Sequence, residues 1–152
     1  MNEKRRLAFV QACWHKDLVD QIKEGFAGEI AELGTPAENI DYFEVTGAFE
    51  IPLHARRLAA TGTYDAIVAA GLVVDGGIYR HEFVAEAVIG GLMRVQLETG
   101  VPIISAVLTP HHFQEHGTHR SFFFDHLETK GTEAARACSH TVDALERLPS
   151  VG

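Results

Sequence analysis

The chain is poor in cysteine and tryptophan, with Cys13, Cys138 and a single Trp14 in 152 residues. Two cysteines make no disulfide framework and fit a reducing cytoplasm. No apolar run approaches the roughly 18–20 residues that span a bilayer, so no transmembrane helix is expected. The N-terminal "MNEKRRLAFVQACWHKD" has basic residues before an apolar run. His15, Lys16 and Asp17 end that run early and no small-residue cleavage site follows, so a signal peptide is not expected. Basic residues are also scarce: 13 Lys and Arg face 21 Asp and Glu, a net charge of −8. Phosphate backbones need a basic face, so nucleic acid is not an expected partner. Repeats, low-complexity segments and linkers are absent, and residues 1–152 read as one domain.

What is present is an alternation of two periodicities. "LAFVQAC" (7–13), "NIDYFEVTG" (39–47), "YDAIVAAGLVV" (64–74) and "VPIISAVLT" (101–109) have the length and apolar content of strands. Between them lie helical patterns. Leu18, Val19, Ile22, Phe26, Ile30 and Leu33 are spaced three and four apart, and Gly34 and Pro36 end that stretch. Residues 49–62 read as a short helix with an early Pro52. Residues 80–99 form a longer one with Val84, Val88, Leu92 and Val95 in a stripe and Phe83 and Ala87 beside it. A helix-like segment around 111–128 precedes a last helix over 132–147, whose Ala134, Ala135, Cys138, Val142 and Leu145 share a face. Strand and helix alternating four times predict a single-domain three-layer αβα sandwich with a four-stranded parallel sheet. In such sheets ligands collect beyond the carboxyl ends of the strands. Here those ends are Cys13–Trp14, Thr46–Glu50, Val73–Arg80 and Leu108–Phe113.

Each rim has a structural and a functional reading. Trp14 is a packed core residue or a platform for a flat heterocycle. In "TGAFEIP" (46–52), Glu50 either satisfies early helix amides or joins Phe49 in holding a ligand. "DGGIYRHEF" (75–83) is a glycine-containing turn into a helix, without the GxGxxG or GxxxxGK[ST] spacing of a nucleotide loop. Arg80 opposes the helix dipole there, which points to an anionic partner: a ligand, Asp75 or Glu82. Five of the nine histidines fall between 111 and 126. His112 and His116 are four apart, yet no HExxH, cysteine pair or clear carboxylate third ligand accompanies them, so no metal is expected. The run "SFFF" (121–124) points to an interface, because one element cannot bury three consecutive rings in one core. Cys138 belongs to the apolar stripe of the last helix, and Ser105 and Ser121 lack a nucleophile-elbow context.

Four segments in order, "GAFEIP" (47–52), "DGGIYRHEFVAEAV" (75–88), "VPIISAVLT" (101–109) and "KGTEAA" (130–135), resemble the lumazine synthase family of riboflavin biosynthesis. The resemblance runs from about residue 7 to 147 and implies a flavodoxin-like α/β fold. It also implies the condensation of 5-amino-6-ribitylaminouracil with 3,4-dihydroxy-2-butanone 4-phosphate, releasing phosphate and water without a cofactor. By position, Trp14 would stack on the pyrimidine, where the family usually has Phe. Ala48, Phe49 and Glu50 would hold the ribityl chain, and Leu72, Val73 and Val74 the pyrimidine edge. Gly77 and Ile78 stand in the ketone phosphate's loop, Ser105 in the place of a substrate-contacting aromatic, and Lys130 in that of the family's Lys.

The chain departs from the family pattern at two places. The family's proton-transferring His falls on Arg80, with His81 next. Arg stays protonated at neutral pH and orients or stabilises an anion instead of shuttling a proton. Adjacent helical residues point about 100° apart, so His81 does not simply inherit the role. The phosphate-binding Arg falls on His119 or, counted from the other side, on Phe122, with Arg120 the nearest strong cation. These changes resemble the second type of lumazine synthase, built from pentamers stacked face to face. The expectation is a cytoplasmic synthase assembled as a decamer. The rival is a flavin- or lumazine-binding protein with weak or lost catalysis.

Overall fold

The computed structural model describes residues 2–74, 80–109 and 117–149, with the side chains of Asn2, of 117–121 and of Phe123 left aside. Four strands, β1 (Leu7–Ala12), β2 (Ile40–Val45), β3 (Ala66–Leu72) and β4 (Ile103–Leu108), alternate with four helices. These are α1 (Lys16–Glu32), α2 (Ile51–Ala60), α3 (His81–Thr99) and α4 (Gly117–Glu146). All strand pairs are parallel, in the order β2-β1-β3-β4. This is a flavodoxin-like α/β winding, with helices covering both faces of the sheet.

Side-chain alternation sorts the core into two layers. Leu7 and Phe9 of β1 and Ala66, Val68, Ala70 and Leu72 of β3 pack against α1 and α4, meeting Leu18, Ile22, Phe26 and Cys138. Ala8, Val10, Ala12, Ile67 and Ala69 face α2 and α3. Both central strands are buried along their whole length, which is why they read as continuous apolar runs.

Two expectations need correction. The segments expected near 111–128 and at 132–147 are one helix from Gly117 to Glu146, while residues 111–116 lie outside the described part. Gly131 sits inside that helix, where α1 approaches too closely for a side chain. A Cβ there would overlap the Ile22 carbonyl and lie 2.8 Å from the Phe26 nitrogen. Gly25 of α1 abuts the Glu128 carbonyl of α4 in the same way. The second correction concerns α3: its buried stripe is Ala85, Val88, Leu92 and Val95, whereas Phe83 and Ala87 are exposed. Leu145 is likewise exposed on α4, whereas Cys138 is fully buried as expected.

Candidate active site

The carboxyl ends of β1 and β3 open onto a hollow of about 370 Å³ lined by Trp14, His15, Leu72 and Val84. Trp14 enters it directly after β1. Cys13 follows the strand, with its N–H shared between the Val45 and Thr46 carbonyls at 3.0 and 3.3 Å. The indole rests on the backbone of Gly47, where a Cβ would come within 2.7 Å of Nε1. Gly47 has φ −147° and ψ 178°, extended values open to any residue, so space and not backbone torsion demands glycine here. His15 is the one described non-glycine residue with positive φ, at 54°. Its carbonyl accepts the Leu18 and Val19 N–H groups at 3.0 Å and starts α1. A left-handed residue of this kind is found where the surroundings over-determine it.

The "GAFE" segment forms a tight turn over Ala48–Glu50 leading into α2. The Glu50 carboxylate accepts the Gly47 N–H at 2.9 Å and so fixes the wall behind the indole. Ala48 is fully buried, while Phe49 is 60% exposed at the rim. Leu72, Val73 and Val74 are all buried, and Val73 is held by its N–H to the Leu108 carbonyl at 2.9 Å. Of these three, Leu72 lines the hollow.

Arg80 stands at the N-terminal boundary of α3. Its Nε donates to Glu82 at 2.5 Å, and its guanidinium lies 4.7 Å from the centre of the Phe83 ring. The Arg80 hydrogen bond is the main reason the Glu82 carboxyl lies below the ordinary range. His81 places Nδ1 3.4 Å from the other Glu82 oxygen. The three side chains of "RHE" therefore form one cluster centred on Glu82, which is one anionic partner for Arg80.

Ser105 and Lys130 lie elsewhere. They share a hollow of about 220 Å³ between β4 and α4, lined also by Ile104, Leu108, Glu133 and Ala134. None of its described lining residues belongs to the Trp14 hollow. Lys130 pairs with Glu133 at 3.4 Å, and the Ser105 hydroxyl accepts the Val107 N–H at 3.4 Å. Gly77 and Ile78 lie outside the described residues, as do His111, His112 and His116. His119 and Arg120 are placed as backbone within α4 only.

Sequence reasoning singled out Trp14 and Leu72 but passed over His15 and Val84. His15 had a signal, since it falls between a strand end and a helix start beside the tryptophan. Val84 read simply as the first member of the core stripe of α3, and it lies where that stripe meets the rim.

Fold and hollow together define an α/β protein with an apolar hollow at the carboxyl ends of its parallel strands, the edge where sheets of this class bind ligands. The family model described as 6,7-dimethyl-8-ribityllumazine synthase matches residues 4–146. The chain is 64% identical over 146 residues to 6,7-dimethyl-8-ribityllumazine synthase of Rhodococcus erythropolis, covering 96% of this chain and 94% of that protein. It is 60% identical to 6,7-dimethyl-8-ribityllumazine synthase 2 of Pseudomonas syringae, over 94% of this chain and 84% of the relative. A synthase of Deinococcus radiodurans is 36% identical, covering 94% and 90%. The chain belongs to the 6,7-dimethyl-8-ribityllumazine synthase family. Membership implies small-molecule substrates and homo-oligomeric assembly.

Proposed function

We propose that this chain condenses 5-amino-6-ribitylaminouracil with 3,4-dihydroxy-2-butanone 4-phosphate to give 6,7-dimethyl-8-ribityllumazine, phosphate and water. The observation that carries the site assignment is the Trp14 platform, backed by Gly47 and facing the Leu72 and Val84 side chains. An indole held in this way stacks on a pyrimidine and leaves its polar edge to the backbone of Val73 and Val74. Ala48, Phe49 and Glu50 hold the ribityl chain at the rim, and Gly77 and Ile78 adjoin the ketone phosphate.

The chemistry is an amine meeting a ketone, loss of phosphate and closure of a ring. Holding the two reactants in contact supplies several orders of magnitude without a strong base. Arg80 gives Nε to Glu82, and its terminal nitrogens are the donors for the phosphate or a developing oxyanion. His81 is the adjacent imidazole, with Nδ1 3.4 Å from Glu82. His119 and Arg120 are the further phosphate candidates.

Ser105 and Lys130 sit apart from Trp14 within one chain. A second copy docking its β4–α4 edge beside the Trp14 hollow reunites them, so the working site belongs to the assembly. Ile89, Met93 and Leu97 form an exposed apolar stripe on α3 at four-residue spacing, and Phe122 and Phe124 project from α4. Two such surfaces support pentamers that pair face to face as a decamer, in the second-type subgroup. Flavin carries a comparable fused ring system and is a second ligand for the same platform. The two free cysteines fit a cytoplasmic location.

The test is the rate of lumazine formation from the two purified substrates against an enzyme-free control. Acceleration well above that background is expected. A folded, assembled protein giving only the background rate would overturn the catalytic reading in favour of flavin or lumazine binding.

A further inference from the structure

One polar network spans the two ends of the turn that presents the indole. Gln11 is 2% exposed in β1, and its Nε2 donates to Asp20 Oδ1 of α1 at 2.7 Å. Lys16, the first residue of α1, donates to both Asp20 oxygens at 3.2 Å. The same ammonium lies 3.2 Å from Glu44 Oε2 of β2. Asp20 foremost, then Glu44, holds the Lys16 pKa above its ordinary value, so the ammonium stays charged across the neutral range. Gln11 and Lys16 bracket residues 12–15, which include Trp14 and the left-handed His15.

This arrangement is more than a surface ion pair. An exposed Lys–Asp pair four residues apart contributes little to stability. Here, however, Asp20 also takes the amide of a buried strand residue, and Lys16 reaches a neighbouring strand. The turn is therefore tied to β1 before the indole and to β2 after it. Gly47 supplies the wall behind.

We propose that Asp20 and Lys16 are positioning residues that act through Trp14, setting the angle at which the indole meets the heterocyclic substrate. Among the described residues, no member of the network lines the Trp14 hollow or pairs with the "RHE" cluster; acting through Trp14, its influence falls on pyrimidine binding and spares the phosphate side. This inference rests on the reading of Trp14 as the pyrimidine platform, but its physical core is separable. The clamp acts on the tryptophan whether or not substrate is present.

The experiment uses the full, assembled chain, whose single tryptophan makes its emission a direct report on residue 14. Asp20→Asn keeps the size of the side chain and removes the charge that recruits Lys16. In the ligand-free variant the emission maximum should shift and acrylamide quenching should rise. The KM for the ribitylaminouracil should increase about five- to tenfold, the scale of a charge-assisted hydrogen bond. The KM for the butanone phosphate should change less than about twofold on the same scale. Lys16→Met should reproduce these effects and Lys16→Arg should largely rescue them. Unchanged emission and quenching in folded variants would overturn the clamp, and equal changes in both KM values would overturn its selectivity. Should Asp20→Asn not fold, Lys16→Met decides, because Lys16 is an exposed side chain. Absence of activity in the unmodified protein would count against the synthase reading alone, since the fluorescence arm needs no turnover.

Discussion

The indole of Trp14 occupies the space that a side chain on residue 47 would need. Gly47 is buried, and its extended backbone would accept alanine without torsional cost. The contact therefore isolates one variable, the room behind the aromatic platform. Gly47→Ala is expected to tilt the indole into the hollow, shifting its emission and weakening pyrimidine binding about tenfold, within the range that base–aromatic stacking contributes. Titration of the variant with the ribitylaminouracil checks this, and unchanged affinity would mean that the indole is not the platform.

Arg80 offers a second test. Arg80→Ala should raise the KM for the ketone phosphate by about tenfold or more, the range for a charged hydrogen-bond donor. The pyrimidine KM should change far less. Equal loss for both substrates would remove Arg80 from the phosphate side. Glu82→Gln should act oppositely on phosphate affinity, because it releases the Arg80 Nε that Glu82 now accepts.

Gly131 makes a prediction about sign. Within an exposed helix, glycine to alanine is worth roughly 1 kcal/mol of stabilisation. At Gly131 the added methyl would meet the backbone of Ile22 and Phe26, so Gly131→Ala should instead destabilise by about 1–3 kcal/mol. Urea unfolding measures it, and a gain in stability would show that α1 and α4 have room to part.

Acid stability should depend on Arg5, which is 4% exposed and pairs with Asp143 and, at 3.0 Å, with Glu146. The Arg5 hydrogen bond pulls the Asp143 carboxyl below its ordinary value of 3.8. A depressed carboxyl contributes stability that is present above its unfolded value and is lost as pH falls through its folded value. Asp143→Asn should therefore weaken the fold near neutrality and converge with the parent as pH drops below 3.8. Parallel melting curves across that window would contradict the pairing.

The apolar stripe of α3 should control assembly. Met93→Asp places a charge between Ile89 and Leu97, all three exposed within a single chain. Sedimentation is expected to show smaller species than the parent, with the helical content retained. An unchanged mass would assign the contact between copies to another surface.

Much of the architecture was legible because it is local. Period-two and period-three-to-four patterns record which face of each element is buried, and the alternation of strand and helix leaves few windings open. The buried runs of β1 and β3 followed, as did the carboxyl-end rim where Trp14 and Leu72 line one hollow. The motif "KGTEAA" was visible as a string, but its glycine proved to serve the contact between α1 and α4. That fact is a distance between elements far apart in the chain, and no local pattern records it.

The same limit applies at the site. Composition marked Trp14 as singular, yet only three-dimensional packing put Gly47 behind it and His15 into a left-handed turn beside it. It also placed Ser105 and Lys130 in a separate hollow, which residue spacing along the chain does not reveal. Side-chain periodicity specifies the layers of this protein. The spaces between the layers, where a missing Cβ or a single carboxylate sets the angle of a ring, arise when those layers come together.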